Sequence, residues 1–169
     1  MKWLGAVAIG VVALGSINFA RVDLPAQTAL EGRDYVTAHA YYRYGVDPSS
    51  IVFDIWGTSV DASGAGVLGA LFDFAEEMKN REFSYVYLAY RGNVRFRISG
   101  KKFSDIGQSL SYQNPVYLIR TLPESVEAPD GRSAFGSWSG GLLGVLNAQM
   151  EDVNQLNKDW WINDEINRY

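Results

Sequence analysis

Two stretches of the chain gather residue types that do chemistry. The first is Phe135 to Gly144, FGSWSGGLLG, where Ser137 and Ser139 sit among glycines. A nucleophile elbow needs Gly-x-Ser-x-Gly, because small neighbours let the serine occupy a strained turn. Gly136 to Gly140 reads GSWSG with Trp138 at its centre, so neither serine has glycines at both offsets. The single histidine, His39, precedes both serines, against the usual order of nucleophile and base on that fold. A Walker loop fails as well, since no Gly-Lys-Ser/Thr follows the glycines. What fits is a helix entrance. Ser139 is expected as N-cap, Trp138 as a hydrophobic staple, and the amides around Ser139, Gly140 and Gly141 as a candidate anion site.

The second stretch is basic: Arg91, Arg95, Arg97, Lys101 and Lys102 follow one another with no acidic residue between them. Strand alternation sends Arg95 and Arg97 to one face, beside Tyr87 of the preceding strand, and sends Val94, Phe96 and Ile98 to the core. Arginine with tyrosine suits an anionic group or a protein interface; the same charges equally serve a solvated face that resists aggregation.

Two further residues are candidates for hydrolysis, Asp54 inside the apolar run IVFDIWG and His39. A glycosidase needs two carboxylates across a cleft, and the sequence offers Asp54 no evident partner. With one histidine and no cysteine, neither a His-pair metal motif nor a thiolate site exists, and no calcium loop is visible. No metal and no cofactor is expected.

Composition narrows the classes. The 169 residues, 47% hydrophobic, suffice for one domain with a core of its own. A formal net charge of -4 gives no global field for nucleic acid, which is not expected as a partner. Between Lys2 and Arg21 the chain carries no charge. Residues 1–20 therefore look like a signal peptide or a membrane anchor, with Lys2 favouring a domain outside the cytoplasm. Small residues at Gly15 with Ala13 or at Ala20 fit a cleavage site imperfectly, and no lipoprotein cysteine follows.

These groups need elements to position them. Residues 21–33, with Pro25 and Gly32 and no periodicity, read as a linker, and 34–169 as a single domain. DYVTAHAYYRY alternates with strand period, IVFDIWG suits a central strand, and SYVYLAY with VRFRIS, joined by Arg91, Gly92 and Asn93, signals a hairpin. Val67, Leu68, Leu71, Phe72, Ala75 and Met78 make a helical stripe. Leu142, Leu143, Leu146, Met150, Val153, Leu156 and Trp160 make another. Lys101 to Tyr112 reads equally as short helix or loop. Asn114 before Pro115 signals a helix start, although PVYLIRTL also alternates.

The expected class is α+β: a mostly antiparallel sheet of about four strands, covered on one face by two amphipathic helices and preceded by an N-terminal apolar helix. The expected function is a non-catalytic binding module of the cell envelope, taking a protein partner or an anionic envelope component. A small envelope hydrolase is the alternative. A structural subunit assembling through Trp160, Trp161 and the acidic, aromatic tail is a third reading.

Overall fold

The computed structural model describes residues 15–168. Most of the expected signal or anchor segment, residues 1–14, lies outside the described residues, and with it the expected apolar N-terminal helix. Among the described residues no helix is long and apolar enough to cross a membrane.

Five strands form one sheet in sequence order: β1 (Val36–Arg43), β2 (Asp47–Thr58), β3 (Tyr85–Tyr90), β4 (Asn93–Ser99) and β5 (Val126–Glu127). The α+β class holds, but the sheet is mixed rather than antiparallel throughout, because β2 and β3 run parallel while the other three pairings are antiparallel. The cause is the helix between them. After β2 leaves one end of the sheet, α2 (Gly64–Glu77) carries the chain back, and β3 must start where β2 started. Ser63 caps α2 by accepting from the Gly66 N–H at 3.0 Å. The β3–β4 connection is a two-residue turn with φ of 48° at Arg91 and 79° at Gly92, the left-handed pair that matches strand twist.

One sheet face is the core. Ala38, Ala40, Phe53, Ile55, Leu88 and Ile98 pack under Leu68, Leu71, Phe74 and Trp160. Phe53 stacks on Phe74 with centroids 5.4 Å apart and lies 6.2 Å from Trp160, whose indole N–H donates to the Ala89 carbonyl at 2.9 Å. That bond satisfies the one polar atom of a fully buried ring. Lys101 to Ser109 resolves as helix: α3 (Gly100–Ser109) starts at a Ser99 cap and presses Gly107 so close to α2 that a Cβ there would lie 2.1 Å from the Ala75 carbonyl oxygen. PVYLIRTL is helical too, as α4 (Pro115–Thr121), with Asn114 accepting from the Val116 N–H at 2.9 Å.

Residues 21–33 correct the linker expectation. Phe19–Asp23 is a π turn closed by the Leu24 N–H on the Phe19 carbonyl, and α1 (Leu24–Ala29) follows, with Val22 and Ala26 fully buried. The segment lies along the outer edge of β1 and bonds it through side chains. Asn18 accepts from the Tyr42 N–H at 2.8 Å and donates to the Gly45 carbonyl at 2.7 Å. Asp23 accepts from the Ala40 N–H at 3.1 Å, and Gln27 donates to the Ala38 carbonyl at 2.9 Å. Asn18 and Asp23 overshoot a regular turn of about 3.6 residues, and the π turn absorbs the excess so that both reach one strand. Polar side chains spent on a neighbour's backbone leave no apolar periodicity, which is why this segment reads as a linker.

The helix α5 (Leu142–Asn157) corrects a second expectation. Gly141, not Ser139, is its N-cap, and no side chain caps it. Leu142 and Leu143, read as core, are 71% and 83% exposed. Trp138 does not staple the start: its indole N–H donates to Asp152 at 2.6 Å, laying the glycine-rich loop along the helix. From Lys158 to Ile162 a π turn carries Trp160 and Trp161 into the core, and a last turn, α6 (Asn163–Ile166), closes the domain.

Candidate functional site

The helices' apolar faces gather on one side of the sheet. On the other side a small cluster of Val52, Tyr87 and Ala89, rimmed by Tyr41, Tyr85 and Val94, forms with no residue from any described helix. Alternation along each strand builds this open face, and the register aligns it. One row crosses the whole sheet as Tyr41, Val52, Tyr87, Arg97 and Glu127.

Stacking organises the cations on this face. The Arg43 guanidinium lies 3.6 Å from the centroid of the Tyr87 ring and 4.9 Å from that of Tyr44. Arg97 lies 4.1 Å from the Tyr85 ring centroid and pairs with Glu127 at 2.7 Å. Each charge is thus held against a ring, an arrangement worth about 0.5–2 kcal/mol depending on how far water is excluded. Long side chains fixed in this way have less rotamer freedom left to lose on binding.

Asp54 is the polar centre of the face and is only 1% exposed. Its carboxylate accepts from the Tyr41 hydroxyl at 3.0 Å, the Trp56 indole N–H at 3.1 Å and the Gly92 N–H at 2.9 Å. Gly92 belongs to the β3–β4 turn, and the adjacent Arg91 N–H donates to the Ile55 carbonyl at 2.9 Å. Asp54 therefore latches β1, β2 and the hairpin turn together. Burial pushes the Tyr41 hydroxyl well above its ordinary pKa, and the neighbouring Asp54 charge and hydrogen bond push it further. A carboxylate enclosed by three donors has no approach for a substrate, which is the geometry of a structural latch.

His39 is the Cα partner of Asp54 across β1 and β2, yet its ring turns elsewhere. Nδ1 lies 3.2 Å from Asp23, and the ring meets Trp56 edge-on at 5.9 Å. Ser137 and Ser139 belong to the loop along α5, which packs on the core side of the sheet. The hydrolase candidates Asp54 and His39 and the serines are therefore not brought together. A cavity of 380 Å³ lies elsewhere, lined by Arg81, Glu82, Phe83, Gly100, Lys101, Ser104 and Asp105, with Lys101 already bonded to Asp105 at 2.6 Å. Among the described residues no group of three or more His, Asp or Glu is placed to hold a metal ion.

The basic run disperses. Arg97 and Tyr87 lie on the open face, but a register shift between Leu88 and Ala89 leaves Arg95 without a partner on β3 and turns Val94, expected in the core, onto the open face. Arg95 pairs with Asp164 in the C-terminal segment at 2.5 Å. Arg91 sits in the hairpin turn, while Lys101 and Lys102 start α3 at the far end of β4, roughly 23 Å away along the strand. The face gains Trp56, 50% exposed, which the sequence hid inside an apolar run whose period of two marks it as outward. No protein family, curated protein or solved structure matches the chain.

Proposed function

We propose that this chain is an exported or membrane-anchored binding module without catalysis, and that the open sheet face is where it binds. The observation that carries the reading is the sheet face that no described helix covers, with its fixed array of Trp56, Tyr41, Tyr85, Arg43 and Arg97. Tyr, Trp and Arg are the residues enriched where proteins anchor one another, since they give large contact area for few frozen torsions. A protein partner fits better than an anionic polymer. Arg97 is neutralised by Glu127, and the arginines lie against rings rather than projecting as a basic comb. Export or anchoring is supported by the uncharged run from Trp3 to Ala20.

A photo-reactive amino acid placed at Trp56, and in a second protein at Gln108 on the exposed side of α3, tests this in native envelope membranes. The expected outcome is a discrete protein adduct from position 56 that is absent from position 108 and lost when Arg43 and Tyr85 are both changed to Ala. Identical adducts from the two positions, or none from position 56, would refute it.

A further inference from the structure

One end of the sheet gathers exposed apolar groups around the point where the uncharged run enters the domain. β1 finishes there, β2 and the parallel β3 begin there, and β4 finishes there, with the Ser84 N–H bonded to the Ser49 carbonyl at 2.7 Å. The β1–β2 turn at this end displays Tyr44, 79% exposed, and Val46, 59% exposed. Asn18 grips the turn from both sides through Tyr42 and Gly45, and its neighbours Ile17 and Phe19 are exposed as well. Tyr44 also holds φ of 55°, a left-handed conformation unusual for a bulky residue. A strained aromatic presented to water is costly on two counts.

Cations border the apolar group. Arg43 lies against the Tyr44 ring, and Arg21 and Arg81 are joined by a bond from the Arg81 Nη1–H to the Arg21 carbonyl at 2.6 Å. Asp47, the acidic residue of the turn, is occupied by the Ser49 hydroxyl at 2.7 Å. Exposed tyrosine and phenylalanine flanked by arginine, next to an uncharged run of chain, is the composition of a bilayer headgroup interface. We infer that the β1–β2 turn, with Ile17 and Phe19, rests in the headgroup layer of the membrane and sets the domain's tilt, leaving the open sheet face standing away from the lipid. The inference rests on the anchored form of the function proposed above.

The chain has no cysteine, so Val46→Cys and Asp61→Cys each give a single attachment point, one at this end and one beyond the opposite end of β2. The full chain, labelled with an environment-sensitive fluorophore, is reconstituted into phosphatidylcholine vesicles containing a nitroxide lipid. Quenching at position 46 is expected to exceed that at position 61 by roughly threefold or more, and Tyr44→Ser is expected to erase most of the difference. A chain that does not float with the vesicles overturns the anchored reading and this inference together. A chain that floats but shows equal quenching at both positions overturns the inference alone. A label at 46 that is shielded from water yet unquenched by the lipid also overturns it, because a protein then covers the turn.

Discussion

Replacing Asp54 by Asn changes the shape of the side chain hardly at all and its chemistry completely. The carboxylate takes three donors, from Tyr41, Trp56 and Gly92. All three converge on Oδ2, so an amide oxygen there still accepts from them but carries no charge, and the amide NH2 that replaces Oδ1 is set against the Gly92 N–H that Oδ1 shares at 3.1 Å. Bonds to a charged acceptor contribute about 1.5–3 kcal/mol each when buried. Trp56 is half exposed and Gly92 exposed, so water recovers part of two of the three. The remaining loss is about 2–3 kcal/mol, which for this length lowers the melting temperature by about 5–10 °C. Urea denaturation followed by tryptophan fluorescence should show the midpoint falling by about 1 M with an unchanged slope. The Gly92 amide, shielded by little except this carboxylate, should exchange with deuterium at least about tenfold faster in the variant. A midpoint equal to that of the unaltered protein, with Gly92 exchange unchanged, would refute the latch.

Tyr41 supplies a pH test of the same site. The folded state holds its hydroxyl proton more tightly than the unfolded chain, whose value is near 10.0. That proton's contribution is complete below pH 10 and is lost as pH rises above it, so stability should fall more steeply in alkali in the unaltered protein than in Tyr41→Phe. Comparing urea midpoints of the two at about pH 8 and about pH 11 checks the sign. At Gly107, alanine improves helix propensity by about 1 kcal/mol, but its Cβ would meet the Ala75 carbonyl oxygen at 2.1 Å, and that atom is backbone. Gly107→Ala should therefore destabilise by about 2 kcal/mol net, read as a lowered melting temperature. A neutral or stabilising result would mean that α2 and α3 are free to slide.

Local patterns were enough to read four of the strands, a hairpin turn over Arg91 to Asn93 and the helical stripe from Val67 to Met78, because each depends on residues within a few positions, whereas at Asn114 helix and strand signals stood level and the structure chose the helix. What the sequence concealed depends on distant pairing. The parallel alignment of β2 with β3 follows from the return path of α2, which periodicity alone does not express. The fate of Arg95 turns on a one-residue shift opposite Ala89, and strict alternation assigns it to the wrong neighbours. Leu142 and Leu143 have the right type and spacing for a core, but the glycine-rich loop sets the helix start beyond the sheet. The latch at Asp54 was visible only as an anomaly, a carboxylate in an apolar strand, since its donors come from residues 41, 56 and 92.

The side chains of Asn18, Asp23 and Gln27 do for β1 what a sixth strand would do. They occupy the N–H groups of Ala40 and Tyr42 and the carbonyls of Ala38 and Gly45 that an edge strand otherwise offers to any passing chain. This sets a limit on processing. A cut after Ala20 would remove Asn18 and break the π turn, leaving the Tyr42 end of β1 open to pair with a second molecule. A cut after Gly15 would leave all three residues in place. On the exported reading proposed above, the position of such a cut would decide whether the domain carries its own edge protection or needs another chain to provide it.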